Sequence, residues 1–397
     1  MTNEPVAEVW FGAHTSAPSF LRPDSPESMG DAVNRIDDAV AHVSLTAADL
    51  QLPNLHQYIS EQPQSVLGSD VEHQFRRKLP FLLKVVAPNQ PLSLQVHPSR
   101  PQALLGYSRE NENGIDIDSL ERSYRDPNHK PELLYVLSQF EALVGFRSPR
   151  RIMGVLRGLN TAVTNRLFEI ISRQPNEIGV RAAFSHLLSS DTRPSEEEVH
   201  AVVTACAKRD PKTSPSARAD SIVGRLAQVH PGDAGVLAAL LLNPVTLYPG
   251  EALFIPVGTV HAYLEGLGIE VMANSDNVLR AGLTVKHIDV LELMQVVDTV
   301  AAPPIRIAPE IISPIQSTFY APVDDFELSV IEVSEDTDWH PIRGTGPRII
   351  LVIDGEAVIR TATDERTFAK GDSVFLEAQD GVAQVRGLAK LIQADVP

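Results

Sequence analysis

The chain has 397 residues, a formal net charge of -17 and a single cysteine, Cys206. At roughly 150 residues per domain this length predicts two or three domains, and the acidic balance excludes a surface built to neutralise nucleic acid or anionic lipid, since both need clustered Lys and Arg. One cysteine permits neither an intramolecular disulfide nor a thiolate cage for a metal, which suits a reducing cytoplasm.

The opening, MTNEPVAEVWFG, carries acid where a secretory leader needs basic residues and an apolar run. Residues 80–97, PFLLKVVAPNQPLSLQVH, show short β-branched and leucine-rich runs punctuated by Pro and Asn, and HKPELLYVL and EALVGF continue the texture, so the first third reads as mostly β. From Ser148 to about Leu242 the apolar period changes to three or four, as in RIMGVLRGLNTAVTNRLFEIISR and EEEVHAVVTACAKR, the second opened by a Ser195/Glu198 capping box. Thr213–Ala219 reads as a polar loop. The strongest apolar stretch, AGVLAALLLNPV, is interrupted by Pro244, so no membrane span is expected. After Asn243 the strand pattern returns, and the Pro-rich stretch at 300–315 reads as a linker to a C-terminal antiparallel sandwich.

The expected layout is mainly β. Residues 1–147 and 243–308 form a cupin-like jelly-roll barrel, 148–242 an inserted helical domain, and 309–397 a second jelly-roll. A weak internal repeat aligns PGEALFIPVGTVHAY from Pro249 with KGDSVFLEAQDGVAQ from Lys370, pairing Gly250 with Gly371 and His261 with Val382. Only the first copy keeps a residue able to bind metal.

Gly250, Pro256, Gly258 and His261 form the spacing G-x5-P-x-G-x-x-H, which resembles the second signature motif of the cupin superfamily of small β-barrels. The glycines and proline shape a sharp turn, and a strand after it places His261 and Tyr263 on one face. If LEGLG is a hairpin connection, Tyr263 lies opposite Glu270 and His261 opposite Met272. The period of two also groups Ser93, Gln95 and His97 in PLSLQVHP, and Lys130 with Glu132 in DPNHKPELLYVL. Gln95, His97, Glu132 and His261 together offer two imidazoles, a carboxylate and an amide oxygen, a nitrogen and oxygen shell suited to one Zn²⁺.

The segments PFLLKVVAPNQPLSLQVHPSR, DPNHKPELLYVL, FEALVGF, YPGEALFIPVGTVHAYLEGLGIEVMANSDNVLRAGLT and AEVWFGAHTSAPS together resemble the type I mannose-6-phosphate isomerase family. The resemblance spans about residues 7–290 and departs from the family pattern at Thr15 and Val285. It implies a zinc enzyme that interconverts mannose 6-phosphate and fructose 6-phosphate, with metal ligands falling on Gln95, His97, Glu132 and His261. The active-site arginine falls on Arg280, and Lys130, Tyr263 and Glu270 fall on active-site positions. Glu270 is the candidate base, with His129 and Lys130 as rivals, and Lys84 and Lys286 join Lys130 and Arg280 as cations available to the sugar phosphate. Trp10 and Trp339 offer faces for sugar stacking or core packing. The expected partner is a small sugar phosphate, with no nucleic acid or membrane, in a monomer or weak homo-oligomer. Two rival readings use the same residues: a non-haem Fe(II) oxygenase, and a sugar-binding barrel in which metal only positions ligand.

Overall fold

The computed structural model describes residues 7–21 and 52–397, with backbone alone at 335–337. The opening residues 1–6, read above for their lack of a leader pattern, lie outside the described residues, as does 22–51 within the expected catalytic region. The contacts divide the chain into two compact units, one of residues 1–9 and 85–308, the other of 10–84 and 309–397. Among the described residues no helix is long and apolar enough to cross a membrane.

The N-terminal strands are β1 (Glu8–His14), β2 (Ala17–Pro18), β3 (Phe81–Val86) and β4 (Leu94–Val96). There follow β5 (Glu132–Val136), β6 (Phe140–Phe146), β7 (Leu242–Leu247), β8 (Ala252–Ile255), β9 (His261–Glu265), β10 (Gly268–Ala273), β11 (Leu279–Gly282) and β12 (Ile305–Ile307). In the first unit one antiparallel run is ordered β12-β8-β5-β10, and the sheet facing it is ordered β11-β4-β9-β6-β7. Their inner faces meet in an apolar cluster that includes Leu134 and Val136 of β5, Ala142 and Val144 of β6, and Tyr263 of β9.

The helical block is where the change of period placed it, as helices over Pro149–Leu156, Ala162–Arg173, Glu177–Leu188, Glu196–Lys208 and Ala217–Val229. The Ser195 box forms in both directions: Ser195 N–H donates to Glu198 Oε2 at 2.9 Å and Glu198 N–H donates to Ser195 Oγ at 3.3 Å. The long apolar stretch at 234–245 is not one segment. It splits into a single turn at Gly235–Ala238 and strand β7.

These helices cover the outer face of the second sheet. Leu94 and Val96 of β4, Leu143 of β6, Ala262 and Leu264 of β9, and Ala281 of β11 share one core with Phe184, Leu226 and Leu237. Both faces of that sheet are therefore dry, and the polar side chains alternating with these residues are committed to the sandwich interior. Where Gly235 crosses Gly282 (φ +134°), a Cβ built on Gly282 would lie 2.7 Å from the Gly235 Cα, closer than carbon atoms tolerate, so neither position admits a side chain.

Among the described residues five further α-helices lie outside the block. Leu55–Glu61, Pro63–Leu67 and Ser69–Gln74 precede β3, Arg100–Glu112 follows β4, and Val290–Val296 follows β11. The fourth is opened by a Ser99/Gln102 capping box with Pro101 in its first turn, and buries only Ala103, Gly106 and Glu110.

In the second unit the C-terminal strands are β13 (Glu310–Ile311), β14 (Gln316–Tyr320), β15 (Glu327–Ile342), β16 (Arg348–Arg360), β17 (Glu365–Ala369), β18 (Ser373–Leu376) and β19 (Ala383–Asp395). They run β13-β14-β15-β19-β16-β17, with β18 also on β16. The long strands break register after Val333 and after Val352, bends that let one sheet wrap a core containing Ile331, Val352, Ile359 and Leu391. The architecture is the mainly-β, cupin-like pair of jelly-rolls with a helical insertion.

The aligned repeat turns have matching backbones, with φ +91° at Gly250 and +94° at Gly371. Their paired positions diverge, however: His261 is 0% exposed and Val382 56%. The second turn therefore presents its residue to solvent, with no enclosure in which a ligand would matter.

Candidate metal centre

The Pro256–Gly258 turn explains why His261 sits where it does. Gly258 adopts φ +80°, its N–H donates to the His97 carbonyl at 2.8 Å, and its own carbonyl accepts from Asp298 N–H at 2.8 Å. One turn thus launches β9 and clamps the backbone of His97. Across the sheet, Arg280 of β11 pairs with Gln95 of β4, and Gln95 pairs with His261 of β9. Cross-strand partners share a face, so this row points into the sandwich with His97 one period along.

The opposite sheet supplies Glu132, paired with Met272 of β10 and Ile255 of β8. His97, Glu132 and His261 are all buried and offer ligand atoms within 4.8 Å of one another. His97 Nε2 lies 3.0 Å from Glu132 Oε1, and His261 Nε2 lies 3.2 Å from Glu132 Oε2.

Proton bookkeeping decides what these contacts are. His97 Nδ1 is 2.8 Å from Asn277 O and His261 Nδ1 is 3.0 Å from Thr259 O. A carbonyl oxygen only accepts, so each Nδ1 carries a proton and each ring turns its Nε2 toward Glu132. Burial, assisted by the Lys130 charge, lowers the His97 pKa to about 4 and so removes the option of a second ring proton near neutrality. Burial alone would raise the Glu132 carboxyl, but its neighbours, the Lys130 ammonium 3.4 Å away among them, outweigh it and hold it well below the ordinary range. The His97 lone pair therefore faces an anion with no proton between them, and both Nε2 atoms and Glu132 Oε2 are buried without a satisfying hydrogen bond. The short His97–Glu132 approach is thus one of juxtaposed acceptors. A divalent cation is the group that turns that repulsion into bonding, and the carboxamide of Gln95 sits beside His261 in the register as a neutral oxygen donor.

A consequence follows for the metal-free protein. Unfolded chains take up the His97 proton near the model value of 6.5, whereas the folded ring resists it until about 4, so the unfolded state binds more protons across that window. Stability is expected to fall as pH drops through it, by about 3 kcal/mol, and to be flat above it. Glu132 adds a further loss only below its ordinary value of 4.5. Urea unfolding in chelator from pH 7 to 4 reads this directly, and a level profile would contradict a neutral buried ring.

The remaining candidates surround this centre. Lys130 is buried with Nζ 3.4 Å from Glu132 Oε1. Burial disfavours its charge, but Glu132, Glu270 and Asp276 together raise its pKa above the usual lysine value. It is therefore a fixed ammonium, which fits the cationic role expected of it and not the rival role of base. Tyr263 donates its hydroxyl to Glu270 Oε1 at 2.6 Å, and burial with Glu270 and Glu132 nearby raises the Tyr263 pKa so that it stays a donor.

The hairpin expected to bring those two residues together is not present. β9 and β10 lie in different sheets, and Tyr263 reaches Glu270 across the sandwich. His129, half-buried, accepts at Nε2 from the Arg100 guanidinium at 3.0 Å, which occupies the lone pair a base would need. Arg280 is half-buried, and among the described residues no hydrogen bond or ion pair engages it. Burial and then Arg125 pull its pKa below the usual arginine range, with Asp276 opposing. It is a cation awaiting an anion.

Lys286 is exposed in the loop after β11. Lys84 belongs to the other unit, where it is buried with its ammonium 4.0 Å over the Trp10 ring. The Trp339 face is taken by Arg360 and Arg386 at 3.9 and 4.5 Å. Sequence reasoning missed Asn277, the residue whose carbonyl orients His97, although it lies within the quoted stretch VMANSDNVLRAGLT.

Fold and site together define a cupin-type barrel built to hold one divalent metal on nitrogen and oxygen ligands. Residues 37–149 match the family model "Phosphomannose isomerase type I, catalytic domain", and residues 315–396 match "Mannose-6-phosphate isomerase, cupin domain". The mannose-6-phosphate isomerase of Escherichia coli (strain K12) is 34% identical over 400 residues, covering 98% of this chain and 91% of that protein. The mannose-6-phosphate isomerase of Rattus norvegicus is 31% identical, covering 96% of this chain and 86% of the relative. The mannose 6-phosphate isomerase of Salmonella typhimurium, in a crystal structure bound to fructose 6-phosphate and zinc, superimposes with a TM-score of 0.82 at 31% identity, covering 99% of this chain and 91% of that one. The chain belongs to the type I mannose-6-phosphate isomerase family, also called phosphomannose isomerase.

Proposed function

We propose that this chain is a zinc-dependent aldose-ketose isomerase that interconverts D-mannose 6-phosphate and D-fructose 6-phosphate by proton transfer through an enediol-like intermediate. The observation that carries the reading is the pair of buried imidazole Nε2 atoms, neither with a hydrogen-bond partner, facing a buried Glu132 at 3.0 and 3.2 Å, in a chain of this family. Gln95, His97, Glu132 and His261 would hold one zinc, and because three of these four are neutral it would keep a net charge near +1 and supply Lewis acidity to the sugar oxygens.

The protein's own groups do the rest. Isomerisation takes a proton from C2 and returns one to C1, while negative charge develops on oxygen. Arg280 cannot give up its proton and stands at the end of the Gln95–His261 row, so it stabilises that oxygen. The Lys130 ammonium reinforces the same field. Glu270 moves the proton, its orientation set by the Tyr263 hydroxyl at 2.6 Å. Lys286, in the same unit as the metal-centre residues, remains the cation proposed for the distal phosphate. Residues 148–242 serve as an insertion that dries the outer face of the metal-bearing sheet. The chain works in the cytoplasm as a monomer or weak homo-oligomer, without nucleic acid or membrane partners.

A coupled assay converting fructose 6-phosphate onward to a nicotinamide signal tests this with zinc-loaded and chelator-stripped protein. Turnover of mannose 6-phosphate that follows zinc occupancy is expected. Stoichiometric zinc with sugar-phosphate binding but no isomerisation would leave a sugar-binding barrel, and oxygen uptake with bound iron would favour an oxygenase.

A further inference from the structure

The two imidazoles are oriented by carbonyls of different origin. His261 uses Thr259, two residues back in its own turn, whereas His97 uses Asn277, 180 positions away in sequence. The Asn277 carbonyl has no strand to hold it, since β10 ends at Ala273 and β11 begins at Leu279.

What fixes it is the side chain of the same residue, 0% exposed. Its Oδ1 accepts from the N–H groups of Arg125 at 2.7 Å and Asp126 at 3.1 Å. Its Nδ2 donates to the carbonyls of Asp126 at 2.7 Å and Asn128 at 2.8 Å. Those bonds use the two lone pairs and two protons an asparagine owns. Asp126 completes the knot from the other side, its Oδ2 accepting from Ser275 Oγ at 3.0 Å and from Asp276 N–H at 2.8 Å. Ser275 Oγ in turn accepts from Asn277 N–H at 3.2 Å.

Two irregular segments are thereby sewn together. One runs on into Lys130 and Glu132, the other into Arg280. We propose that Asn277, braced by Asp126 and Ser275, is the positioning residue of this centre: it holds the carbonyl that keeps His97 protonated at Nδ1 with Nε2 free for the metal. The proposal rests on the zinc reading above. Because His261 is oriented locally, loss of the knot disturbs one ligand of the set and leaves the others.

The test measures zinc affinity of the full-length chain by competition with a chromogenic chelator, together with the visible spectrum of the cobalt-substituted protein. Asn277→Ala is expected to weaken zinc binding by about 10- to 100-fold, the range seen when an outer partner of a ligand is lost, and to shift the cobalt spectrum. Ser275→Ala removes one brace, and a smaller loss in the same direction is expected. Asn176→Ala is the control: its side chain caps the helix Glu177–Leu188 by accepting from Ile178 and Gly179 N–H, so it destabilises the same unit without touching the knot.

Unchanged affinity and spectrum in the Asn277 and Ser275 variants would overturn the proposal, as would an equal loss of affinity in the Asn176 variant. If Asn277→Ala fails to fold, Ser275→Ala decides alone. Wild-type protein that binds no zinc would instead defeat the functional reading, so the two failures are distinguishable.

Discussion

His261→Ala protein is expected to lose tight zinc binding and isomerase turnover together. The imidazole is fully buried, and the cavity left by alanine opens beside an ionised carboxylate that now has one ligand partner fewer. A structural zinc binds with apparent free energies of roughly 10 to 16 kcal/mol, so losing one of four ligands is expected to remove about 3 kcal/mol or more, at least a hundredfold in affinity. Chelator competition and elemental analysis read the metal, and the coupled assay reads turnover.

Glu132→Gln sharpens the test because it separates charge from shape. Its amide N–H₂ can donate to one of the bare Nε2 atoms, so the metal-free variant is expected to unfold at a higher temperature than the metal-free wild type while binding zinc poorly. Full turnover in metal-depleted His261→Ala protein would sink the metal assignment.

The second large effect belongs to Arg280. Arg280→Ala is expected to lower kcat by about 10²- to 10³-fold while zinc binds as before, the loss typical of removing one preorganised oxyanion donor. The reasoning is geometric: Arg280 pairs with Gln95 in the strand register, while its guanidinium forms no hydrogen bond or ion pair among the described residues. Arg280→Lys should recover only part of the rate, because an ammonium keeps the charge and loses the planar fork. An unchanged turnover number in the alanine variant would defeat the role. Loss of zinc in that variant would move Arg280 from chemistry to scaffolding.

Much of the site was legible because strands impose a strict alternation. Once Leu94 and Val96, or Ala262 and Leu264, are recognised as one face, Gln95 and His97, or His261 and Tyr263, must occupy the other. The expectation of a nitrogen and oxygen metal shell followed from which residues shared those faces, and the family from the resemblance of the long segments that carry them. The pairing of Tyr263 with Glu270 was anticipated by a wrong route, since residues facing each other across a sandwich can mimic a hairpin's spacing.

Other features left weaker marks. The helix Arg100–Glu112 carries a legible signal in Ser99, Pro101 and Gln102, but its large aliphatics, Leu104 and Leu105, are adjacent and exposed and mark no buried helical face. Asn277 was out of reach for a different reason. Its contribution to His97 is made by a backbone carbonyl, a group every residue has, and only the fold reveals which carbonyl a ring nitrogen meets.

The side-chain-free crossing of Gly235 and Gly282 links evolutionary freedom in one part of the chain to chemistry in another. Gly282 stands two positions beyond Arg280, while Gly235 lies at the end of the helical insertion. A methyl group gained at this crossing would lever the strand that carries the arginine. Grafting a foreign helical segment onto this sheet should therefore depend on the backbone it offers at this point as well as on the apolar face it packs against the sheet.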